Sequence, residues 1–233
     1  MMKFHYTTLE TCHKATGLVI VIDVIRAFTN AAYAFAQGVH KIYPVGTIDE
    51  ALQLKRENPG MLACGEVGGV PPEGVDFGNS PTQVLELDLR GCTLIQRTSA
   101  GTQGIVRSVN ADKMVAASFV VANATTNYIH ALSPYEVTFV ITGKHNEVGG
   151  DEDQACAEYL EALLRGDCPD SAPFLDRVRN SREAKLFEDP VRPEFPYSDI
   201  AYCTDLDRFN FAMPVTRENN RFIMHTFTPG TDN

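Results

Sequence analysis

At 233 residues, 44% hydrophobic and 21% charged, the chain can bury a sizeable core and has the composition of a soluble enzyme or binding protein, which excludes a disordered class. Thirty acidic residues against twenty basic ones give a net charge of −10, which argues against nucleic acid as a partner, because phosphate backbones are bound through excess lysine and arginine. No run approaches the length of a bilayer span, and the amino terminus MMKFHYTTLETCHK has no signal-peptide core, so a cytoplasmic protein that engages no membrane is expected.

In chain order, Met2 to Tyr6 reads as a short edge strand. Leu18 to Ile22 is a continuous apolar run too short for a typical helix, as expected of a strand buried on both faces. Asp23 ends it. The period then becomes helical, with Phe28, Ala31, Ala32, Phe35 and Ala36 in one stripe and Gly38 closing it. In an open parallel sheet a strand-to-helix turn lies at the carboxyl edge, where ligands bind, and Asp23 and Arg26 belong there. Two readings stand for the pair. It offers a carboxylate for a cation and a guanidinium for an anion, as a metal-assisted phosphoester site requires, or it is a salt bridge that holds the turn.

His40 to Val45 is the next strand. Thr47 and Glu50 form a capping box for a helix through Arg56, ended by Asn58, Pro59 and Gly60. Met61 to Cys64 is a strand running into the glycine- and proline-rich loop GEVGGVPPEGVDFGNSP, after which Ser80 and Pro81 start a helix over Thr82 to Leu87. Cys92 to Gln96 is a strand, followed by RTSAGTQG and a short helix through Val109. Lys113 to Ala117 and Val137 to Ile141 are strands flanking a helix over Phe119 to Leu132, and a helix from about Gln154 to Leu164 follows TGKHNEVGGDEDQ. Such alternation predicts a layered α/β fold with a mainly parallel sheet. Beyond a break at Pro169 to Pro173 come a helix over Phe174 to Phe187, a connection over Asp189 to Pro196, and a helix over Ile200 to Phe209. Phe211 to Val215 and Arg221 to Phe227 then form a strand pair. With no repeat and no flexible linker, residues 1–233 read as one domain, with 170–233 as a C-terminal extension packed on the sheet.

Four loops after strands carry the chemistry, those around Asp23, Glu66, Ser99 and Asp151. Glu66 stands among glycines that let a ligand approach the backbone; alone, it would be a solvent-facing turn residue. Thr98, Ser99 and Thr102 put hydroxyls beside amides at a helix start, which suits a phosphate as well as it suits a plain N-cap. The spacing matches neither GxxxxGK[ST] nor GxGxxG, which counts against a nucleotide-dependent oxidoreductase. Asp151, Glu152 and Asp153 are a hard-cation ligand set or a complement to the helix dipole. Lys144 and His145 would neutralise an anion or transfer a proton, or are surface residues. The six cysteines form no CxxC pair, so neither zinc nor a disulfide framework is suggested, and Cys64 reads as a buried thiol before it reads as a nucleophile.

VIDVIRAFTN, GEVGGVPPEGVDFGNSP, RTSAGT, SFVVANA, GGDEDQACAEYL and DIAYCTDLDRFNFAMPV occur in the order and style of the 2-phosphosulfolactate phosphatase (ComB) family, which the chain resembles over nearly its whole length. The resemblance implies a three-layer α/β/α fold with a mainly parallel or mixed central sheet. It also implies a magnesium-dependent phosphatase that acts on a three-carbon sulfonated acid on the route to coenzyme M. By position it marks Asp23, Arg26, Glu66, Gly68, Gly69, Asn79, Ser80, Gly101, Thr102, Asn123, Glu152 and Asp153. The family commonly has GERGG where this chain has GEVGG, and NGT where this chain has Ala100 before Gly101 and Thr102. Losing the guanidinium at position 67 removes a charge-assisted contact of about 1.5 to 3 kcal/mol to a doubly anionic substrate.

The expectation is therefore a Mg2+-dependent hydrolase for the phosphomonoester of a small acid. Asp23, Glu66, Glu152 and Asp153 supply the metal ligands, and Asp23, Arg26, Glu66 and His145 are the catalytic set, with a carboxylate or His145 activating water. Arg97, Ser99, Gly101, Thr102, Asn123, Gly68 and Gly69 bind the substrate. The partner is a small phosphorylated acid, and a homo-oligomer is left open. The rival from another class is a non-catalytic anion-binding or regulatory module on the same fold, for which Val67 and Ala100 are the motive.

Overall fold

The computed structural model describes residues 2–143 and 149–228. Among them, nine strands form one sheet in the order β1-β7-β2-β6-β8-β9-β3-β5-β4. These are β1 (Lys3–Thr8), β2 (Leu18–Ile22), β3 (Lys41–Pro44), β4 (Met61–Gly65), β5 (Thr93–Arg97), β6 (Lys113–Ala117), β7 (Glu136–Ile141), β8 (Met213–Glu218) and β9 (Arg221–Met224). The helices are α1 (Ala27–Ala36), α2 (Ile48–Glu57), α3 (Pro81–Val84), α4 (Gly101–Arg107), α5 (Ala122–Leu132), α6 (Asp151–Arg165), α7 (Ala172–Arg179) and α8 (Ser198–Cys203).

The unbroken apolar run of β2 is explained by its two neighbours and two faces. It pairs in parallel with β6 and β7. Val19 and Val21 pack on one side with α1 and Ile105 of α4, while Leu18, Ile20 and Ile22 pack on the other with α5 and α6. Each side chain so buried contributes roughly 1.5 to 3 kcal/mol relative to exposure. Helices therefore cover both faces, and the architecture is the expected α/β/α arrangement with a mostly parallel sheet.

The sheet consists of two parallel blocks of opposite sense. β1, β7, β2 and β6 form one, and β3, β5 and β4 form the other. Between them, the steps β6 to β8, β8 to β9 and β9 to β3 are all antiparallel, and three reversals leave the blocks pointing oppositely. The C-terminal segment thus does more than lie on the sheet, because its β8–β9 hairpin bridges the two blocks. Asn219 and Asn220 take positive φ of 50° and 64° in its tight turn, the conformation that short hairpins with right-handed strand twist require.

Local signals held where the chain carries its own stop and start residues. Thr47 Oγ1 accepts from Glu50 N, and Glu50 Oε2 reaches past Thr47 to the Gly46 amide at 3.1 Å. The helix expected over Phe174 to Phe187 is instead α7 followed by a 3-10 turn over Ala184–Glu188. Asn180 Nδ2 closes α7 on Asp176 O, and Ser181 Oγ accepts from Ala184 N to open the next turn. The helix expected over Ile200 to Phe209 ends at Cys203, because Thr204 Oγ1 donates back to Ile200 O and Asp207 adopts a φ of 53°. Among the described residues, no helix is long and apolar enough to cross a membrane.

Candidate active site

The turns after β2, β4 and β5 meet in one cleft, although these strands belong to opposite blocks. Asp23, Arg26, Glu66, Gly68, Gly69 and Asn79 line it, with Ala100 and the apolar side chains of Ile25, Leu186, Phe187 and Phe195. Its volume of about 160 Å³ lies below the roughly 300 to 1,000 Å³ of sites for drug-sized ligands, so a small acid fits better than a nucleotide.

Asp23 is 4% exposed, and Oδ1 accepts from the Ala27 amide at 2.9 Å. Burial pushes its carboxyl up to about 6, helped by the negative charge of Glu66 and opposed by the amides of Ala27 and Gly101. Glu66 is held by three donors: the Ser99 amide on Oε1, and the Gly69 amide and Ser99 hydroxyl on Oε2. Two buried carboxylates thus face one small cavity, across the seam between blocks.

Arg26 does not bridge to Asp23. Its Nη1 donates to Asp199 Oδ2 and to Glu194 O, each at 2.8 Å, and the guanidinium packs on the paired rings of Phe187 and Phe195, 4.9 and 5.1 Å from their centroids. Both partners and both rings come from the C-terminal segment.

The acids before α6 divide differently from the expected ligand set. Asp153 is 1% exposed; Oδ1 accepts from Val24 N, and Oδ2 from Gly143 N and Thr142 Oγ1. It therefore ties the end of β2 to the end of β7. Burial and the charge of Asp23 raise its carboxyl well above the usual range. Glu152 is buried beside Glu183, and Asp153 and Glu183 add to the burial that raises it. Glu183 reaches the cleft and Glu152 does not. Among the described residues, no group of three or more His, Cys, Asp or Glu side chains is set to hold a metal.

The substrate loop also needs correction. The Ser99 amide is committed to Glu66 and the Thr102 amide to Thr98 Oγ1 at 3.0 Å, while the Gly101 amide faces the carboxylate of Asp23. None of the three is free to cradle a phosphate. Thr102 is wholly buried in a reciprocal pair with Thr98. Arg97 lies outside the cleft lining and steadies the loop through Nη1 to Glu66 O at 2.8 Å. Asn123 is exposed at the start of α5 and is engaged by Asp207 through its amide and Nδ2, so the structure does not bring it to the cleft. His145 and Lys144 lie outside the described residues. Burial pushes the Cys64 thiol up, the state of an inert packed cysteine.

Of the residues sequence reasoning passed over, Glu183, Phe187 and Phe195 wall the cleft and Asp199 anchors Arg26. Glu183 was masked by the helical reading of its segment, and Asp199 stands in DIAYCTDLD with no local feature that sets it apart from an ordinary first-turn acid.

The family model described as 2-phosphosulpholactate phosphatase matches residues 5–218. The chain belongs to the 2-phosphosulfolactate phosphatase family. A probable 2-phosphosulfolactate phosphatase of Bacillus subtilis (strain 168) is 36% identical over 200 residues, covering 85% of this chain and 87% of the relative. One from Thermotoga maritima is 30% identical over 216 residues, covering 89% and 92%. In the GEVGG loop Val67 is 46% exposed beside cleft residue Gly68, so position 67 is at the rim and not in the core.

Proposed function

We propose that the cleft hydrolyses the phosphomonoester of a small acid with the help of Mg2+. As a member of the family, the chain is a phosphoric monoester hydrolase. The observation that carries the site assignment is the convergence of Asp23 and Glu66, from opposite strand blocks, with the guanidinium of Arg26 in one small cavity. The two carboxylates raise each other's need for a cation, and Mg2+ commonly uses one or two carboxylates with waters and substrate phosphate. Asp23 and Glu66, which line the cleft, would hold it; Asp153, which does not line the cleft, would only position Asp23. The ion supplies Lewis-acid polarisation of the phosphoryl group and neutralises its charge.

The protein's own groups do the rest. Arg26 binds and orients the phosphate, and Ile25, Phe187 and Phe195 limit water around it. Glu183 lines the cleft beside the buried carboxyl of Glu152 and would take a proton from the attacking water. A phosphate-release screen over phosphorylated two- to four-carbon acids, with Mg2+ and with chelator, tests this. Release that needs Mg2+ is expected. Turnover unchanged in chelator sinks the metal role, and binding without turnover of any phosphomonoester favours a non-catalytic anion-binding module.

The relatives' names point to 2-phosphosulfolactate, yet among the described cleft residues Arg26 is the only cation and much of the wall is apolar. We therefore expect a smaller or less charged phosphomonoester to be used better. Val67→Arg should lower KM for the sulfonated substrate about tenfold, the scale of one charge-assisted contact, and leave Tm within about 2 °C because the side chain is at the surface. An unchanged KM would place position 67 away from the second acid group.

A further inference from the structure

We infer that Asp199 is a positioning residue that fixes which edge of the Arg26 guanidinium meets the phosphate, making the C-terminal helix α8 part of the active site. The inference rests on the reading of Arg26 as the phosphate ligand. Asp199 is fully buried. Its Oδ2 takes Arg26 Nη1 at 2.8 Å, while its Oδ1 takes Ser80 Oγ at 2.9 Å, Thr82 N at 3.0 Å and Thr82 Oγ1 at 2.7 Å. The carboxylate is therefore itself held by the start of α3, the helix that follows the glycine-rich loop. Arg26 Nη1 spends its other proton on Glu194 O, and the guanidinium packs on the edge-to-face pair of Phe187 and Phe195, whose centroids are 5.1 Å apart.

With both protons of Nη1 engaged and the guanidinium held against the ring pair, the Nε–Nη2 edge is left for the cleft that Arg26 lines. That edge is a planar two-donor fork matched to two phosphate oxygens. A buried ion pair is weak as a source of net stability, because desolvation offsets the attraction; here its geometry aims a donor pair. Arg26, Ser80 and Asp199 lie far apart in sequence, so this aim exists only once α8 has docked.

The test compares purified Asp199→Asn with the parent enzyme, measuring kcat and KM for the best phosphomonoester and the inhibition constant of orthophosphate. An asparagine cannot accept from Arg26 and from the three donors on the opposite oxygen together. KM and the orthophosphate constant are expected to rise together tenfold or more. A merely structural role would lower the active fraction, seen in kcat, and leave both constants alone; that result overturns the inference. Should Asp199→Asn fail to fold, Ser80→Ala keeps the ion pair and loosens one anchor of Asp199. A rise of about threefold in both constants is expected there, and unchanged constants overturn the inference. Arg26→Ala separates the layers. If it leaves the orthophosphate constant unchanged, the reading of Arg26 as the phosphate ligand fails, and the inference with it. If it weakens orthophosphate while Asp199→Asn does not, only the role of Asp199 fails.

Discussion

Asp23→Asn is expected to reduce kcat/KM about 1,000-fold, or roughly 4 kcal/mol of transition-state stabilisation, the scale of a lost catalytic ion or its principal ligand. Asp23 is the residue where the constraints concentrate: it ends the most buried strand, faces Glu66, is backed by Asp153 and receives the Ala27 amide. An amide side chain has similar volume but no charge for a cation, so steric disruption is not the cause. Steady-state kinetics with a Mg2+ titration checks this; activity within tenfold of the parent at saturating Mg2+ would move the metal ligands elsewhere.

The same carboxyl makes a pH prediction whose sign is opposite to that of an ordinary paired acid. Its folded-state value, about 6, lies above the unfolded value of 3.8, so between these limits the folded protein binds the proton more tightly than the unfolded chain. Stability in chelator should therefore fall as pH rises from about 4 to about 6, by on the order of 3 kcal/mol from this group, and then level off. Mg2+ should restore stability above pH 6, because it binds the ionised carboxylate in competition with the proton. Denaturant unfolding across that range, with Mg2+ and with chelator, measures both effects. A chelator profile parallel to that of Asp23→Asn would show that Asp23 does not titrate in this window.

Gly101→Val is the second large expected effect, with a loss of about 3 kcal/mol in stability and about 100-fold in kcat/KM. A Cβ at position 101 would stand 2.7 Å from Ala27 Cβ and 2.8 Å from Asp23 Oδ2. The backbone of α4 and the carboxylate of Asp23 must separate to admit it, and a β-branched side chain leaves no rotamer that avoids the contact. Ser99→Ala, in contrast, removes the hydroxyl that donates to Glu66 and accepts from the Gly68 amide. The Ser99 backbone amide still holds Glu66, so a loss of about tenfold is expected. Chemical denaturation and kcat/KM for the two variants decide the point. If Ser99→Ala is the more damaging, the hydroxyl acts on substrate directly and the loop is not simply a support for the two acids.

RTSAGTQG is thus a support for carboxylates. Its helix-start amides suggested an anion cradle, but they serve the two carboxylates and Thr98. A loop whose donors already hold acids builds an acidic cleft, and an acidic cleft repels a phosphate dianion unless a cation intervenes.

Local residue patterns by themselves determined the alternation of strands and helices, the burial of β2 on both faces, the cap at Thr47, and the placement of Asp23 and Glu66 at strand ends. These depend on side-chain periodicity and on start and stop residues within a few positions, so neighbouring residues suffice to read them. Only the tertiary structure decided that the two parallel blocks run oppositely and that the C-terminal hairpin joins them, because strand order depends on pairing between distant segments. It likewise decided that Asp153 anchors Val24 from 129 positions away and that Asp199 grips Arg26 from 173 positions away. Three carboxylates of equal standing in the sequence acquire different work according to where the fold puts them: Asp153 is enclosed among structural donors, whereas Asp23 and Glu66 are left facing a cavity. Desolvation and hydrogen bonding are set by neighbours in space, and for these residues the neighbours that matter lie on other segments of the chain.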